Sequence, residues 1–189
     1  MNSKKVLAIL GSPRADGVTA TMLDYSIREA EKAGYIVSKI NLYEKQISFC
    51  TGCRRCLDSG MCIQKDDMQE IVLLFHESQI VLLAAPTHWA NVPAPVKNLF
   101  DRLLGTAMKE TATFPEPRLS GKKYMLLTAC NTPAPFSWLF GQSRGAIRNM
   151  DEFFKTAGMK SMGKVVCANA GKAKKVPEQI LRKIERCWR

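Results

Sequence analysis

The sequence predicts an α/β protein in which helices cover both faces of a parallel sheet. Short apolar runs at 6–10 and 80–84 have the length and the Val, Ile and Leu content of strands that are buried on both faces. Segments with apolar residues at helical spacing alternate with such runs. The chain has 189 residues, of which 46% are hydrophobic, and this suits a single domain with an ample core.

The order of the elements follows from the same patterns. We expect five strands, at 6–10, 35–40, 80–84, 124–128 and 164–168. We expect five helices, with apolar faces at 22–33, 68–75, 96–103, 147–157 and 176–188. Asp66 and Asp67 suit the cap of the second helix, and Pro93 and Pro95 suit the first turn of the third.

Two connecting segments have their own interpretation. Segment 106–122 is predicted to be a polar connection. Segment 135–141 is predicted to form either a lid over a site or a contact between subunits, because it is rich in large apolar residues: Phe136, Trp138, Leu139 and Phe140.

Composition limits the classes of function. The chain has 28 basic and 17 acidic residues, and its net charge of +11 suits anionic cofactors, acidic partners or nucleic acid. Nucleic-acid binding is not expected, because the basic residues do not interleave with aromatic residues on one face. A basic excess near the carboxyl terminus is interpreted as solvated surface and comprises Lys172, Lys174, Lys175, Arg182, Lys183, Arg186 and Arg189.

Apolar runs and cysteines bear on localisation. No apolar run is long enough to span a bilayer, and no apolar segment follows a basic start. Seven cysteines are an odd number, which argues against a disulfide framework. We therefore expect a cytoplasmic protein that does not enter a membrane.

The loop after the first strand predicts a phosphate site. Gly11 and Pro13 end the strand, and a helix pattern begins a few residues later. The free N–H groups and the positive dipole end of that helix would face the loop. Polar side chains that suit an anion also lie there: Ser12, Arg14, Thr19 and Thr21. The spacing is not that of a Walker A loop or of G-x-G-x-x-G. An ordinary capped turn between strand and helix is the alternative.

Three loops should meet at one edge of the sheet. They are 11–21, 86–91 and 128–132, and each follows a predicted strand. In parallel sheets, ligands bind outside the carboxyl ends of the strands, at the point where the strand order reverses. We therefore predict one binding site that these three loops share.

A compact group of cysteines is the most specific motif in the chain. Cys50, Cys53, Cys56 and Cys62 lie close enough for one loop to surround a single centre, and Gly52 and Gly60 allow the positive φ angles that such a loop often needs. Four thiolates match the ligand number of a [4Fe–4S] cluster. A zinc site and unligated thiols are the alternatives, although structural zinc usually takes two separated cysteine pairs.

Together these stretches resemble the iron–sulfur flavoproteins, within the flavodoxin-like NAD(P)H-dependent FMN reductase superfamily. The resemblance covers nearly the whole chain. It is carried by segment 11–19, the cysteine run with Lys65-Asp66-Asp67-Met68 after it, Pro86-Thr87-His88-Trp89, and Lys97-Asn98-Leu99-Phe100-Asp101-Arg102. It implies a single flavodoxin-like domain over 1–189, a three-layer sandwich whose five-stranded parallel sheet has the order 2-1-3-4-5. The cysteine-rich insertion would lie at about 48–65.

The resemblance also implies how FMN is held. The phosphate would be surrounded by Ser12, Arg14, the backbone of Val18, and Thr19, with Thr21 nearby. Val18 stands where the family often has Asn, so one side-chain donor is missing. The ring would be lined by Pro86, Thr87, His88, Trp89 and Asn91. The far side would be closed by Thr128, Ala129, Cys130 and Asn131.

Chemical roles follow from this arrangement. N–H groups around Thr87 and His88 are predicted to donate to N5 or O4 of the flavin and to stabilise charge on the reduced ring. His88 and Trp89 are the catalytic candidates, as a proton donor and a stacking surface. The resemblance implies that the cluster lies close to the flavin. Arg54 and Arg55 would offset the negative charge of the cluster.

The main hypothesis is a redox enzyme that moves electrons between FMN, a [4Fe–4S] cluster and an external partner. The partner would be a small molecule, NAD(P)H as co-substrate, or a ferredoxin, and the resemblance implies a homodimer or homotetramer. A second hypothesis is an NAD(P)H-dependent FMN or quinone reductase without a cluster. A third, of another class, is a four-cysteine zinc module that binds nucleic acid.

Overall fold

The computed structural model of the protein describes residues 4–171, 173 and 175–189. Lys172 and Lys174, which the sequence analysis assigns to solvated surface, lie outside the described residues. The strands are β1 Lys5–Leu10, β2 Ile36–Asn41, β3 Ile80–Pro86, β4 Met108–Lys109, β5 Glu116–Pro117, β6 Lys123–Ala129 and β7 Lys160–Cys167. The helices are α1 Val18–Lys32, α2 Cys56–Ser59, α3 Met68–Glu77, α4 Ala94–Arg102, α5 Leu104–Ala107, α6 Phe136–Leu139, α7 Gln142–Thr156 and α8 Glu178–Arg186.

The five long strands form one parallel sheet in the order β2-β1-β3-β6-β7. Numbered by their own order along the chain, this is 2-1-3-4-5, so the predicted flavodoxin-like topology is confirmed. The order reverses between β1 and β3, where Val6 is paired with Ile80 and Leu10 with Ala84. A binding crevice is expected beyond the carboxyl ends of these two strands.

Two apolar clusters cover the two faces of the sheet, and β1 shows how one strand serves both. Leu7 and Ile9 point into a cluster that also contains side chains of α3, α4 and α7. Val6, Ala8 and Leu10 point into the opposite cluster, with side chains of α1 and α8. All five residues are buried, and burial of each large one stabilises the fold by about 1.5–3 kcal/mol. The continuous apolar run is therefore needed on both faces.

The boundaries differ from the predictions where burial is incomplete. β7 begins at Lys160, four residues before the expected position, because its first half is largely exposed and lacks an apolar pattern. The segment predicted as a polar connection contains α5 and the antiparallel pair β4–β5. No helix within the described residues is long and apolar enough to cross a membrane.

The caps of α3 and α4 were predicted in part. Asp67 precedes α3 but makes no side-chain bond to the first turn; its carboxylate accepts from the amide of Gln46 at 2.7 Å. The carboxylate of Asp66 accepts from the amide of Met68 at 3.1 Å and takes over that role. At α4, proline lies in the first turn as expected, which removes one N–H group that would have no intrahelical partner.

Candidate flavin site and cysteine loop

A cleft of about 520 Å³ opens at the carboxyl ends of the strands. It is lined by parts of segment 12–21, by Pro86, Thr87 and His88, and by Ala129 and Asn131. The three loops that the sequence predicts to converge therefore meet at this edge. A fourth segment, between β7 and α8, also lines the cleft, with Ala170, Gly171, Ala173, Lys175 and Val176. The size suits a ligand of cofactor dimensions.

The amino terminus of α1 opens onto this cleft without a cap. Gly17 precedes the helix and offers no side-chain acceptor, and the first turn has no acidic residue. The first N–H groups of a helix have no intrahelical partner, so they are available to a ligand. Val18 and Thr19 line the cleft at this point. The helix end thus has the unpaired N–H groups and the positive dipole that suit an anion.

Side chains around the helix end add donors for that anion. Ser12 is buried, and its Oγ accepts from the amide of Arg14 at 3.2 Å, which fixes the loop and leaves the Ser12 hydroxyl proton to donate. Arg14 is exposed and makes no ion pair within the described residues. The hydroxyl of Thr21 donates to the carbonyl of Gly17 at 3.1 Å, so Thr21 offers a ligand only its acceptor lone pairs.

Lys175 is a cation of the cleft that the sequence analysis missed. It was assigned to the solvated carboxyl-terminal surface, but it lines the cleft together with Arg14. Asp16 is the acidic residue among the lining groups. The connection between β7 and α8 has no motif of its own, and only the strand order indicates that it returns to the site.

Residues 88–91 form a tight turn at the rim of the cleft. His88 and Asn91 exchange two backbone hydrogen bonds of 2.8 Å each. Trp89 and Ala90 have positive φ angles of 51° and 58°, as a type I′ turn requires of both central residues. For a residue as large as Trp this conformation is uncommon and costs on the order of 1–3 kcal/mol. The turn presents the fully exposed Trp89 side chain beside the cleft.

The turn is held in place by α7. The side-chain amide of Asn149 donates to Oδ1 of Asn91 at 2.7 Å, and the amide of Val92 donates to the same oxygen at 2.8 Å. Gly145 lies directly against the carbonyl of Ala90, where a Cβ atom would collide with it. Contacts with α7, and not the residues of the turn alone, therefore stabilise the strained turn.

Of the amides around Thr87 and His88 that are predicted to face the flavin, those of Thr87 and His88 themselves are paired within the chain. The Thr87 amide donates to the carbonyl of Ala129, and the His88 amide donates to the carbonyl of Asn91, each at 2.8 Å. Neither is free for a flavin. The next two amides, of Trp89 and Ala90, donate to no backbone carbonyl among the described residues, because a two-residue turn leaves its central amides unpaired.

Four predicted contact residues do not line the cleft, namely Trp89, Asn91, Thr128 and Cys130, and two of these, Thr128 and Asn91, have structural roles behind it. Thr128 is fully buried, and its hydroxyl donates to the carbonyl of Ala85 at 2.8 Å. The side chain of Asn91 stabilises the turn, as described above. Both residues stabilise the backbone around the cleft through these hydrogen bonds.

Trp89 and Cys130 line a separate, smaller cavity. Its volume is about 190 Å³, and it shares Thr87 and Asn131 with the large cleft. Its other lining residues are Ala90, Thr132 and Gln142. Cys130 is buried there, with its Sγ 3.8 Å from Oε1 of Gln142. A flat group bound in the cleft would have this cavity beside it.

The four clustered cysteines share one cavity. Cys50, Cys53, Cys56 and Cys62 line a space of about 40 Å³. Among the described residues, no group of three or more His, Cys, Asp or Glu side chains is placed to hold a single metal ion. The donor chemistry nevertheless fits an iron–sulfur cluster, since four thiols surround one space and a cluster is larger than an ion. The amide of Arg55 and the hydroxyl of Thr51 lower the pKa of Cys53, which favours the thiolate that ligates iron.

Arg102 joins this cysteine loop to α4. Its buried guanidinium forms two bonds to the carboxylate of Asp66, of 2.7 and 2.9 Å. It also donates to the carbonyl of Ser48 at 2.6 Å and, through Nε, to Sγ of Cys62 at 3.2 Å. Burial raises the pKa of Asp66, but the bonds from Arg102 and from the amides of Met68 and Ser48 outweigh this, so the pKa lies below its usual range.

The helix α5 supports the loop from the other side. Gly105 lies against the carbonyl of Cys56, where a Cβ atom would collide. The hydroxyl of Thr106 donates to the carbonyl of Gly60 at 2.9 Å. Arg118 bridges the carbonyls of Gly105 and Leu57, at 2.7 and 2.9 Å. The segment that the sequence analysis interprets as a polar connection is thus part of the scaffold of the cysteine loop.

The charge around the loop is partly neutralised within the chain. Arg54, expected to offset a cluster, has a positive φ of 61° and forms an ion pair with Glu110. Within one copy of the chain, no described residue lines both the cysteine cavity and the large cleft. α4 runs between them, from just after the 88–91 turn to Arg102, and its nine residues give it a length of about 14 Å.

Comparisons with known proteins agree with this architecture. The family model of the NADPH-dependent FMN reductases matches residues 4–150. An iron–sulfur flavoprotein of Archaeoglobus fulgidus is 45% identical over 100 residues, which are 53% of this chain and 46% of the relative. An iron–sulfur flavoprotein of Methanocaldococcus jannaschii is 33% identical over 98 residues, 52% of this chain and 51% of the relative. The chain thus spans about half the length of the curated relatives it matches.

A solved structure extends the likeness over the whole fold. The NAD(P)H:quinone oxidoreductase from Methanothermobacter marburgensis superposes with a TM-score of 0.79, over 99% of this chain and 98% of that one. At 16% identity this match shows the fold alone. The predicted FMN reductase superfamily is confirmed by the family model. Since that model covers residues 4–150, well over half of the sequence, the chain belongs to the NADPH-dependent FMN reductase family.

Proposed function

We propose that this chain is an FMN-dependent oxidoreductase whose flavin lies at the carboxyl ends of β1, β3 and β6. The observation that carries this proposal is the uncapped amino terminus of α1, which opens onto a cleft of about 520 Å³. Family membership supports the choice of FMN. Bound FMN accepts and donates a hydride or single electrons. The chain positions the flavin, supplies charge and limits access of water.

The phosphate of FMN is assigned to the helix end. The amides of Val18 and Thr19 and the hydroxyl of Ser12 supply neutral donors, and Arg14 and Lys175 supply positive charge. A bond between a cation and a phosphate oxygen is about twice as strong as a neutral bond. The missing Asn side chain at Val18 is offset by Lys175, which approaches from the segment between β7 and α8.

The ring is assigned to the side of the cleft formed by residues 86–90. The amides of Trp89 and Ala90 replace those of Thr87 and His88 as donors toward the flavin, because they are unpaired within the turn. Such donors stabilise negative charge on a reduced ring. His88 lines the cleft and is the proton-donor candidate, while Trp89 stands over the smaller cavity as a stacking surface for an aromatic substrate.

The four clustered cysteines are proposed as ligands of a [4Fe–4S] cluster. Three things support this: they line one cavity, the pKa of Cys53 is lowered, and similar proteins carry the name iron–sulfur flavoprotein. When bound, a cluster transfers single electrons. Cys62 is held by Arg102, and the backbone of Cys56 rests on Gly105. A family reductase without a cluster is the second candidate, because the family model that matches the chain is that of the NADPH-dependent FMN reductases. The zinc module that binds nucleic acid has no support in the fold or in the family match.

External partners and assembly are part of the proposal. NAD(P)H or a ferredoxin is the electron donor, and a small molecule is the acceptor. An exposed apolar patch on α6 is proposed as a contact between two copies of the chain. The rings of Phe136 and Phe140 stack 5.9 Å apart, and Arg144 lies 5.3 Å from the ring of Trp138. Such a patch at the surface of a protein commonly marks an interface.

A comparison of two flavins tests the proposed site. FMN and riboflavin share the ring and differ in the phosphate, so their affinities for the flavin-free protein isolate the role of the α1 terminus. We expect calorimetry to give FMN an affinity at least tenfold higher, or about 1.4 kcal/mol. Equal affinities would remove the phosphate from the proposed site.

A further inference from the structure

Arg102 lies in the apolar face of α4, yet it is an arginine with almost no exposed surface. A buried guanidinium is costly unless its charge is paired and its N–H groups are all bonded. Asp66 and the carbonyls of Ser48 and Gln64 accept from the two terminal nitrogens. The remaining N–H group, on Nε, is directed to Sγ of Cys62 at 3.2 Å.

This contact distinguishes Cys62 from the other three cysteines. Among the described residues, the Sγ of Cys50 accepts only from the amide of Gly52, at 3.4 Å, and both are exposed. Cys53 is exposed, and its neighbouring donors are backbone or hydroxyl groups. Of the four cysteines, Cys62 is the one whose sulfur accepts from a charged side chain of the described residues, and that donor is held rigidly by four other bonds.

The ion pair with Asp66 limits the electrostatic effect of Arg102 on Cys62. The carboxylate neutralises the full charge of Arg102, so what acts on Cys62 is mainly the local Nε–H dipole. A hydrogen bond to a ligand sulfur stabilises negative charge on the sulfur, and this charge grows when one electron is added to the cluster. No covalent bond forms or breaks in that step, and the proton stays on Nε.

We infer that Arg102 is a positioning residue for Cys62 that raises the reduction potential of the proposed cluster through its Nε–H···Sγ hydrogen bond. This inference rests on the proposed [4Fe–4S] site. It extends that proposal, because it makes one buried residue of α4 both the anchor of the loop and a determinant of its potential.

The substitution Arg102→Lys tests the inference with little change of shape. Lysine keeps the positive charge for Asp66, but it has a methylene group where arginine has Nε–H. The matched control is Asp66→Asn, which breaks the same ion pair and leaves the Nε–H donor in place. The measurement is an anaerobic redox titration of each purified protein with dithionite, followed by visible absorbance and electron paramagnetic resonance, together with iron content.

The two variants have opposite expected results. Arg102→Lys should lower the ratio of reduced to oxidised cluster at a fixed ambient potential by about tenfold, which is about 59 mV for one electron. Asp66→Asn should leave the potential unchanged or raise it, because the charge of Arg102 is then less neutralised. Loss of iron from Arg102→Lys with retention in Asp66→Asn would also support the role of Nε.

Other results would contradict the inference in recognisable ways. An intact cluster with an unchanged reduction potential in Arg102→Lys would contradict the role of Arg102, while the proposed cluster would stand. Equal loss of iron from both variants would mean that the ion pair, and not Nε, holds Cys62. Absence of a cluster from the reconstituted natural protein would overturn the proposed cluster, and the inference with it.

Discussion

Gly145 on α7 lies so close to the carbonyl oxygen of Ala90 that no side chain fits between them. This contact joins the helix to the strained turn that carries Trp89. Two non-glycine residues at positive φ are kept there because α7 supports the turn through Gly145 and Asn149. The geometry of the proposed flavin cleft therefore depends on a helix of which no described residue lines the cleft.

Gly145→Ala tests this dependence. Alanine in the interior of an exposed helix normally stabilises it by about 0.5–1 kcal/mol. Here the added Cβ must displace the turn, and we expect a loss of about 1–3 kcal/mol together with weaker FMN binding. Thermal unfolding and flavin titration measure the two effects. Arg148→Ala, at an exposed position of the same helix, should change neither quantity, and a stabilised Gly145→Ala variant would show that the contact is not restrictive.

Arg14→Ala tests the phosphate contact. Loss of a charge-assisted bond at an exposed position should weaken FMN binding by about tenfold, and riboflavin binding should stay the same. Lys175→Ala should also weaken FMN binding, by a smaller factor. Arg28→Ala, on α1 but away from the cleft, is the control. An equal effect on both flavins would mean that Arg14 contacts the ring or supports the loop instead.

The cleft shows what local sequence can and cannot predict. The apolar run of β1 and the glycine and proline after it identify the first loop and its helix. Arg102 and Lys175 were not identified as site residues, because their roles come from distant partners. Arg102 looks like a surface residue of an amphipathic helix until Asp66 and Cys62, 36 and 40 positions away, are brought to it by the fold.

The turn at 88–91 is a second case. A type I′ turn is normally indicated by Asn-Gly or Asp-Gly, and Trp89-Ala90 gives no such signal. For this reason the sequence does not show that the amides of Thr87 and His88 are paired and that those of Trp89 and Ala90 are unpaired within the turn. The conformation is fixed by tertiary contacts with α7, which a local pattern does not contain.

Asp151 gives the fold a dependence on pH. Burial raises its pKa, but bonds from Lys155, Lys164 and the hydroxyl of Tyr124 outweigh this and hold the pKa below its usual range. A carboxyl group with a lowered pKa stabilises the folded state above its unfolded pKa of about 3.9. That contribution is lost as the pH falls through the lower, folded-state pKa.

We therefore expect Asp151→Asn to lower the free energy of unfolding at pH 7 by about 1–3 kcal/mol. Below pH 4 its stability should fall less steeply with pH than that of the natural protein. Denaturant unfolding at several pH values measures both. Asp24→Asn is a suitable control, because Asp24 forms an exposed ion pair with Lys39. A steeper acid transition in Asp151→Asn would contradict the assignment.

The cysteine ligands are tested one at a time. Cys53→Ser and Cys56→Ser should lose iron and the broad visible absorbance of a cluster, and should keep FMN, because no described residue lines both cavities. Cys187→Ser, outside the cysteine cavity, should keep both. Metal analysis and absorbance of anaerobically purified protein give the answer, and full iron content in Cys53→Ser would exclude that residue as a ligand.

A substitution that introduces a charged side chain tests the role of the apolar patch of α6. Phe140 is largely exposed within one copy of the chain, so Phe140→Glu should leave the fold stable. If the patch joins two copies, the new carboxylate would be buried at the contact, which is unfavourable. The sedimentation coefficient should then fall to that of a monomer. Phe114→Glu, at another exposed aromatic residue, is the control. An unchanged oligomeric state in Phe140→Glu would assign the patch to another role.

The most direct test of the redox assignment is the composition of anaerobically purified protein. Flavin, iron and acid-labile sulfide are measured on the same sample as its visible spectrum. We predict bound FMN, about four iron and four sulfide atoms per chain, and bleaching of both chromophores on addition of dithionite. Colourless protein that does not bind added FMN would contradict the central claim, and FMN without iron would leave a flavin reductase and remove the cluster.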